Sequence, residues 1–290
     1  MQNYIAWCND YSKNTGEGKL ARKFIKIKFS KCKVKIICPK ISFFLSKYVL
    51  QFFGIFVLWY YYFAGKKLIY TNYLPLWNTF IFLLSPPGTK FGPITGSIQI
   101  NKIKNFKSFL RFYTFPVLYK LNLKILLFRL NKIIFATNIL KKYISKKDKK
   151  KVFINFVLFD VKFPKENSGY KKYDYIIYYR KHENKFFNHH YDYIRNEINK
   201  GKKIIIVGDK INLKGVQNLG LISSSKLTKF QKKTKYTLSG DDNLLSLFNL
   251  ECAQNGVKII FNYKLNFQIG KINKYFFKAY NYNKKKFVKY

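Results

Sequence analysis

Acidic residues are scarce in this chain. Across 290 residues, 13 Asp and Glu face 56 Lys and Arg, a formal charge of +43. The imbalance favours polyanionic surroundings: nucleic acid, anionic lipid or phosphorylated ligands. Lys, Asn, Ile, Tyr and Phe are in excess together, however, so any single lysine run reads first as solvated surface. Cysteine is also sparse. Cys8, Cys32, Cys38 and Cys252 show neither metal-ligand pairing nor a dense framework, which excludes a disulfide scaffold and fits a reduced cytosolic compartment. The N-terminus lacks the basic start and apolar core of a secretory signal, because its short apolar stretch soon meets Asp10. There is no internal repeat. What is abundant is apolar: 48% hydrophobic and 20% aromatic residues exclude disorder as the general state.

The apolar residues fall into alternating strand-like and helix-like segments. In the first half, 3–8 reads as a strand, 9–18 as its loop and 19–29 as a helix with apolar residues at Leu20, Phe24 and Ile27, or at Ile25 and Phe29. Residues 33–39, 66–75 and 132–138 read as further strands, two of them ended by Pro39 and Pro75. The lysine-dense segment 143–151 reads as a linker, giving domains 1–150 and 151–290. In the second half, 173–179 and 203–209 read as strands, the latter stopping at Gly208-Asp209. A helix over 223–233 opens with serines suited to capping. Then come a strand at 235–238, a helical run at 243–255 and a strand at 257–260. The tail from Gly270 reads as a surface helix. Such alternation implies a doubly wound α/β fold, with ligands at the carboxyl ends of the strands.

Residues 48–65 carry no charge and meet the minimum length for a membrane span. Gln51, Gly54 and four tyrosines dilute the segment, which suits a buried or membrane-facing helix better than a bilayer centre.

Three clusters could carry chemistry. Arg180 and Lys185 follow the strand 173–179, and a strand end presenting both can grip a diphosphate, by a bidentate fork and a point charge. Gly240-Asp241-Asp242 leads into the helical run, where Leu244, Leu247, Phe248 and Glu251 share a face. An acid there wants a basic partner or ligand hydroxyls. The helix expected to begin near 242 would aim backbone N–H groups at an anion. The third cluster is Thr15-Gly16-Glu17-Gly18 with Gly92 and Gly96, where glycines at turns permit close backbone approach.

With these residues in place, the chain resembles the GT-B glycosyltransferases of bacterial surface polysaccharide and lipopolysaccharide synthesis (group 1, family 4-like). In that family Arg-x4-Lys follows the first strand of the donor domain, as Arg180 and Lys185 do here. Gly208, the segment Val216–Gly220, the helix over 227–233 and the pair Asp242 and Glu251 are similar to the elements that follow. The family's two acids have seven residues between them; Asp242 and Glu251 have eight, and Asn243 holds the matching position. The resemblance implies a GT-B-like α/β fold of two Rossmann-like domains facing a cleft, an acceptor-side N-terminal domain and a nucleotide-sugar-binding C-terminal one. It implies a donor site of Arg180, Lys185, Gly208, Asp242, Asn243 and Glu251, with Glu251 on the ribose hydroxyls. Gly16, Gly18, Gly92 and Gly96 would meet acceptor or phosphate. Asp10 and Glu17 are the candidate catalytic acids on the acceptor side, since His182, His189 and His190 all lie in the second half.

The expected activity is therefore transfer of a sugar from a nucleotide-sugar to a cell-surface glycan or lipid-linked acceptor, with no cofactor and no metal. The expected location is cytoplasmic, with an anionic membrane's inner face as a peripheral partner. A basic nucleic-acid-binding protein is the main alternative, disfavoured because the basic residues are spread along the chain and no nucleic-acid motif is visible. An integral membrane protein using 48–65 is the other.

Overall fold

The structure, a computed structural model, describes residues 2–39, 46–72, 74–96, 106–130, 133–136, 140, 143–148, 152–153, 164, 169–181, 188–240, 243–269 and 274–288. The chain divides into two compact units, Met1–Leu158 and Phe159–Tyr290.

In the first unit the order is β1 (Asn3–Cys8), α1 (Gly16–Lys28), β2 (Lys33–Ile37), α2 (Ser46–Phe63), β3 (Lys67–Thr71), α3 (Thr79–Leu84), β4 (Lys90–Phe91), α4 (Phe106–Arg129), β5 (Ile133–Ile134) and β6 (Val152–Phe153). Strands β1 to β4 form a parallel sheet in the order β2-β1-β3-β4, and β5 pairs with β6. Alternation along β1 sends its side chains to two cores. Ile5 and Trp7 pack in the cluster that includes Leu58, Phe82 and Leu126 of α2, α3 and α4. Ala6 and Cys8 pack with Phe24 and Ile25 of α1. The sheet is thus covered on both faces, as a parallel sheet requires.

Helix α2 begins and ends two residues before the expected 48–65. It buries Leu50, Ile55 and Leu58 and leaves Phe52, Phe56, Tyr60 and Phe63 exposed. Its 18 residues span about 27 Å. No helix among the described residues is long and apolar enough to cross a membrane. The expected strand 66–75 is cut to Lys67–Thr71 by Asn72, whose φ of 25° leaves the extended region.

The second unit contains β7 (Tyr173–Tyr179), α5 (Asn188–Asn199), β8 (Ile204–Gly208), β9 (Val216–Gly220), α6 (Ser224–Lys232), β10 (Thr234–Leu238), α7 (Leu247–Gln254), β11 (Lys258–Asn262), β12 (Phe277–Asn281) and β13 (Lys286–Phe287). Its sheet runs β13-β12-β11-β10-β7-β8-β9, parallel except for β13. Counted from β7, the six parallel strands take the doubly wound order 3-2-1-4-5-6. Strand β8 is buried along its whole length, consistent with its unbroken apolar run.

Two expectations fail here. The tail from Gly270 does not form a surface helix: Phe277–Asn281 becomes the sixth parallel strand, burying Phe277, Ala279 and Tyr280. Aromatic residues favour a half-buried pleated surface, and the surrounding Lys and Asn hid that preference. Helix α7 starts at Leu247 rather than near 242, because Ser246 caps it by accepting from the Asn249 N–H at 3.2 Å.

Gly54 of α2 gives a test of how α2 meets the sheet. A Cβ there would lie 2.2 Å from Trp7 Nε1. Gly to Ala inside a helix ordinarily gains about 1 kcal/mol. Overpacking of this kind costs about 1–3 kcal/mol. Gly54→Ala is therefore expected to lower unfolding stability in urea, the reverse of the propensity effect.

Candidate functional site

In each sheet the strand order reverses beside the first strand, between β1 and β3 in the first unit and between β7 and β10 in the second. Crevices for ligands open at the carboxyl ends of the strands at such points.

In the first unit this point is held by Asn72. Its Oδ1 accepts from the Asn9 N–H at 3.0 Å and the Asp10 N–H at 3.4 Å. Its Nδ2 donates to the carbonyls of Asp10 and Glu17, the latter at 3.2 Å. One buried carboxamide thus ties the end of β1, the loop and the first turn of α1. Asn tolerates the positive φ better than most residues, which fits its use here. Residues Gly16, Glu17 and Gly18 lie in that first turn, not in a loop, because the Thr15 hydroxyl accepts from the Gly18 N–H at 3.1 Å. A Cβ on Gly18 would meet Ser12 O at 2.3 Å and Asp10 Oδ1 at 2.8 Å, so the absence of a side chain lets the loop close on the helix.

Asp10 Oδ1 accepts from the Ser12 N–H at 2.8 Å, which fixes the carboxylate to its own loop. Glu17 differs. Its Oε2 is buried with no hydrogen-bond partner, and burial, then the nearby Asp10 charge, push its carboxyl above the ordinary range. Burial, chiefly, also pushes the Cys8 thiol up to about 12, which keeps it protonated and unreactive. Gly92 and Gly96 pack elsewhere: added Cβ atoms would meet the Phe24 ring at 2.6 Å and Leu140 Cδ2 at 2.4 Å. Apolar packing accounts for both.

In the second unit Arg180 follows the last residue of β7 and is exposed. The ends of β7 and β8 are laced together. The Asp209 N–H donates to Tyr179 O at 2.9 Å, and the Lys181 N–H donates to Asp209 Oδ2 at 2.7 Å. Gly208 sits between them at φ 101°, where a Cβ would lie 2.2 Å from Tyr179 O, so only glycine fits. The Tyr178 and Phe248 rings lie 5.5 Å apart, which brings the N-terminal turn of α7 to the carboxyl end of β7. That helix end is positive and suits an anion. At the end of β10, His190 Nε2 lies 2.6 Å from Ser239 O, joining α5 to the same edge.

Asn243 turns the chain into α7, its Oδ1 accepting from the Leu245 N–H at 3.1 Å, and the Leu244 N–H donates to Gln268 Oε1 at 2.9 Å. Glu251 is half-buried in the second turn of α7, and Leu244 lies outside that helix. Lys185 and Asp242, with Asp241 and His182, lie outside the described residues. Asn72 and Asp209 are the positioning residues that sequence reading missed. Each is the polar residue just past a strand, which is the only local signal they give.

No family model and no curated protein matches the chain. Solved structures do. An alpha-glucosyltransferase in complex with UDP and a 13-mer DNA containing a HMU base has 12% identity and a TM-score of 0.50, over 90% of this chain and 80% of that one. A putative UDP-N-acetylglucosamine 2-epimerase from Listeria monocytogenes has 9% identity and a TM-score of 0.49, over 90% and 79%. The E. coli heptosyltransferase WaaC with ADP-2-deoxy-2-fluoro heptose has 10% identity and a TM-score of 0.36, over 91% and 89%. At these identities the likeness to the first concerns the fold alone. The fold is α/β and GT-B-like, with two Rossmann-like units.

The environment of Glu17 has a pH signature. A carboxyl whose folded pKa lies above its unfolded value, near about 4.3, stabilises the fold fully below that value. The contribution is lost as pH rises through the folded pKa. Relative to Glu17→Gln, the unaltered protein should therefore lose thermal stability as pH increases from acid to neutral. A constant difference in melting temperature across that range would show that Glu17 is as solvated folded as unfolded.

Proposed function

We propose that the chain transfers a sugar from a nucleotide-sugar donor to a hydroxyl, with the second unit holding the donor and the first serving the acceptor. The observation that carries this reading is the reversal of strand order between β7 and β10, with Arg180 at the carboxyl end of β7 and the N-terminus of α7 beside it. That edge offers a fork of N–H donors and a helix dipole, the two features a diphosphate uses. Arg180, with Lys185, neutralises the leaving diphosphate as the bond between anomeric carbon and phosphate oxygen breaks and its electron pair departs with the phosphate. Gly208 keeps the strand end open, Asn243 shapes the turn beside it, and Asp242 and Glu251 complete the donor site, with Glu251 on the ribose hydroxyls. The acceptor oxygen forms the new bond to the anomeric carbon. Its proton goes to a carboxylate of the first unit, Asp10 or Glu17. The acceptor is a cell-surface glycan or a lipid-linked sugar, and the reading assigns no metal.

Thermal unfolding of the full chain with a panel of nucleoside diphosphates and their sugars tests the reading. One nucleotide should raise the melting temperature, and Arg180→Ala should weaken its binding by roughly tenfold or more, the scale of a lost charge-assisted hydrogen bond. Glu251→Gln should weaken the nucleoside diphosphate but leave inorganic diphosphate unaffected. Indifference to every nucleotide, together with tight, salt-sensitive RNA binding, would sink the proposal.

A further inference from the structure

One buried imidazole stands at the carboxyl edge of the second sheet without a part in the chemistry proposed for that edge. His190 is the third residue of α5, the helix that follows β7, and it is 0% exposed. Its Nε2 lies 2.6 Å from the carbonyl of Ser239, the residue just past β10. A carbonyl only accepts, so Nε2 carries the proton and the partner fixes the tautomer. The bond joins the helix after β7 to the end of β10. Those are the two strands between which the order of the sheet reverses.

Both ends of that bond are held. On the α5 side, the His190 ring lies 5.3 Å from the Tyr282 ring. Tyr193, one turn further along α5, lies 5.0 Å from Tyr280 of β12 and 6.1 Å from Tyr282. The Tyr193 and Tyr175 hydroxyls meet at 3.0 Å, so an aromatic block fixes this helix to β7 and β12. On the β10 side, the Ser239 N–H donates to Ile260 O at 2.9 Å, and the Ser239 hydroxyl donates to Gly240 O at 2.8 Å. Further on, the Leu244 N–H is held by Gln268 Oε1 just before α7. Ser239 is therefore the fixed point from which the chain sets out toward α7.

A leucine would occupy this site among tyrosines with no polar atom to desolvate. What the imidazole adds is one N–H, delivered to a carbonyl beyond the end of its strand. A buried carbonyl left without a donor is penalised, and the turn that follows it would shift to find one. The ring itself is enclosed, so its effect on a ligand passes through Ser239.

We propose that His190 is a positioning residue of the nucleotide site. Through the Ser239 carbonyl it sets where the turn toward α7 begins, and so where the N-terminus of α7 stands beside Arg180 at the end of β7. The role rests on the donor reading above. A diphosphate held by a guanidinium on one side and by helix N–H groups on the other tolerates little change in the gap between them.

Two variants of the full chain separate the N–H from the bulk of the ring. His190→Gln keeps a side-chain N–H donor, and His190→Leu keeps an apolar side chain and loses the donor. Titration calorimetry uses the nucleoside diphosphate that stabilises the unaltered chain, well below every melting temperature. Affinity should fall by roughly tenfold in His190→Leu and stay within about threefold of the unaltered chain in His190→Gln. In the unaltered protein carrying isotopically labelled histidine, the buried Nε2–H should give a slowly exchanging proton resonance, absent from His190→Gln. That resonance should shift when the nucleoside diphosphate saturates the chain. Equal affinity in His190→Leu and the unaltered chain, or a glutamine variant as weak as the leucine one, would overturn the role. A resonance indifferent to nucleotide would do the same even where a variant does not fold. An unaltered chain that binds no nucleotide removes the donor reading itself, whereas nucleotide binding that ignores His190 removes this role alone.

Discussion

A parallel strand buried on both faces can satisfy its backbone only through its neighbours, and this constraint organises both units. Strand β8 shows it most fully, with every residue from Ile204 to Gly208 buried and paired to β7 and β9. Once the central strands point one way, all their carboxyl ends share an edge. The chain must then leave and return on either side of the first strand. The reversal of order beside β1 and β7 follows from that connectivity, and with it the place where a loop can part from its neighbour and admit a ligand.

The two units settle the polar groups at that edge by different means. The first uses a side chain: the Asn72 carboxamide substitutes for a strand neighbour and holds Asn9, Asp10 and Glu17 together. The second uses a missing side chain and a carboxylate: Gly208 allows Tyr179 O to meet the Asp209 N–H, and Asp209 Oδ2 accepts from the Lys181 N–H. The difference matters chemically. Beside the first clamp the Glu17 carboxyl is desolvated, whereas beside the second Arg180 stays exposed, where a guanidinium is ready for a charged ligand.

The strands were the legible part of the sequence. Those at 3–8 and 173–179 match β1 and β7 residue for residue, and 203–209 brackets β8, because each largely apolar run stops at polar residues: Asn9-Asp10, Arg180-Lys181 and Asp209-Lys210. Arg180 was legible for the same reason, as the first residue beyond a readable strand. The start of α1 was not, since the hydroxyl that begins it sits among glycines that read as a loop. Strand β12 was hidden by a Lys- and Asn-rich surround, and its burial depends on β11 lying next to it. Asn72 was invisible in principle. Its partners lie more than fifty positions earlier in the chain, and no local pattern encodes a bond of that reach.

Trp7 has a mechanical meaning beyond its place in the core. Its indole fills the notch left by Gly54, stacks edge-on near Phe53 at 5.8 Å, and donates from Nε1 to Asn9 Oδ1 at 2.7 Å. Helix α2 therefore cannot slide or roll on the sheet without moving the indole, and the indole cannot move without Asn9. The aromatic helix α2 is geared, through one ring, to the end of β1 and the loop that carries Asp10.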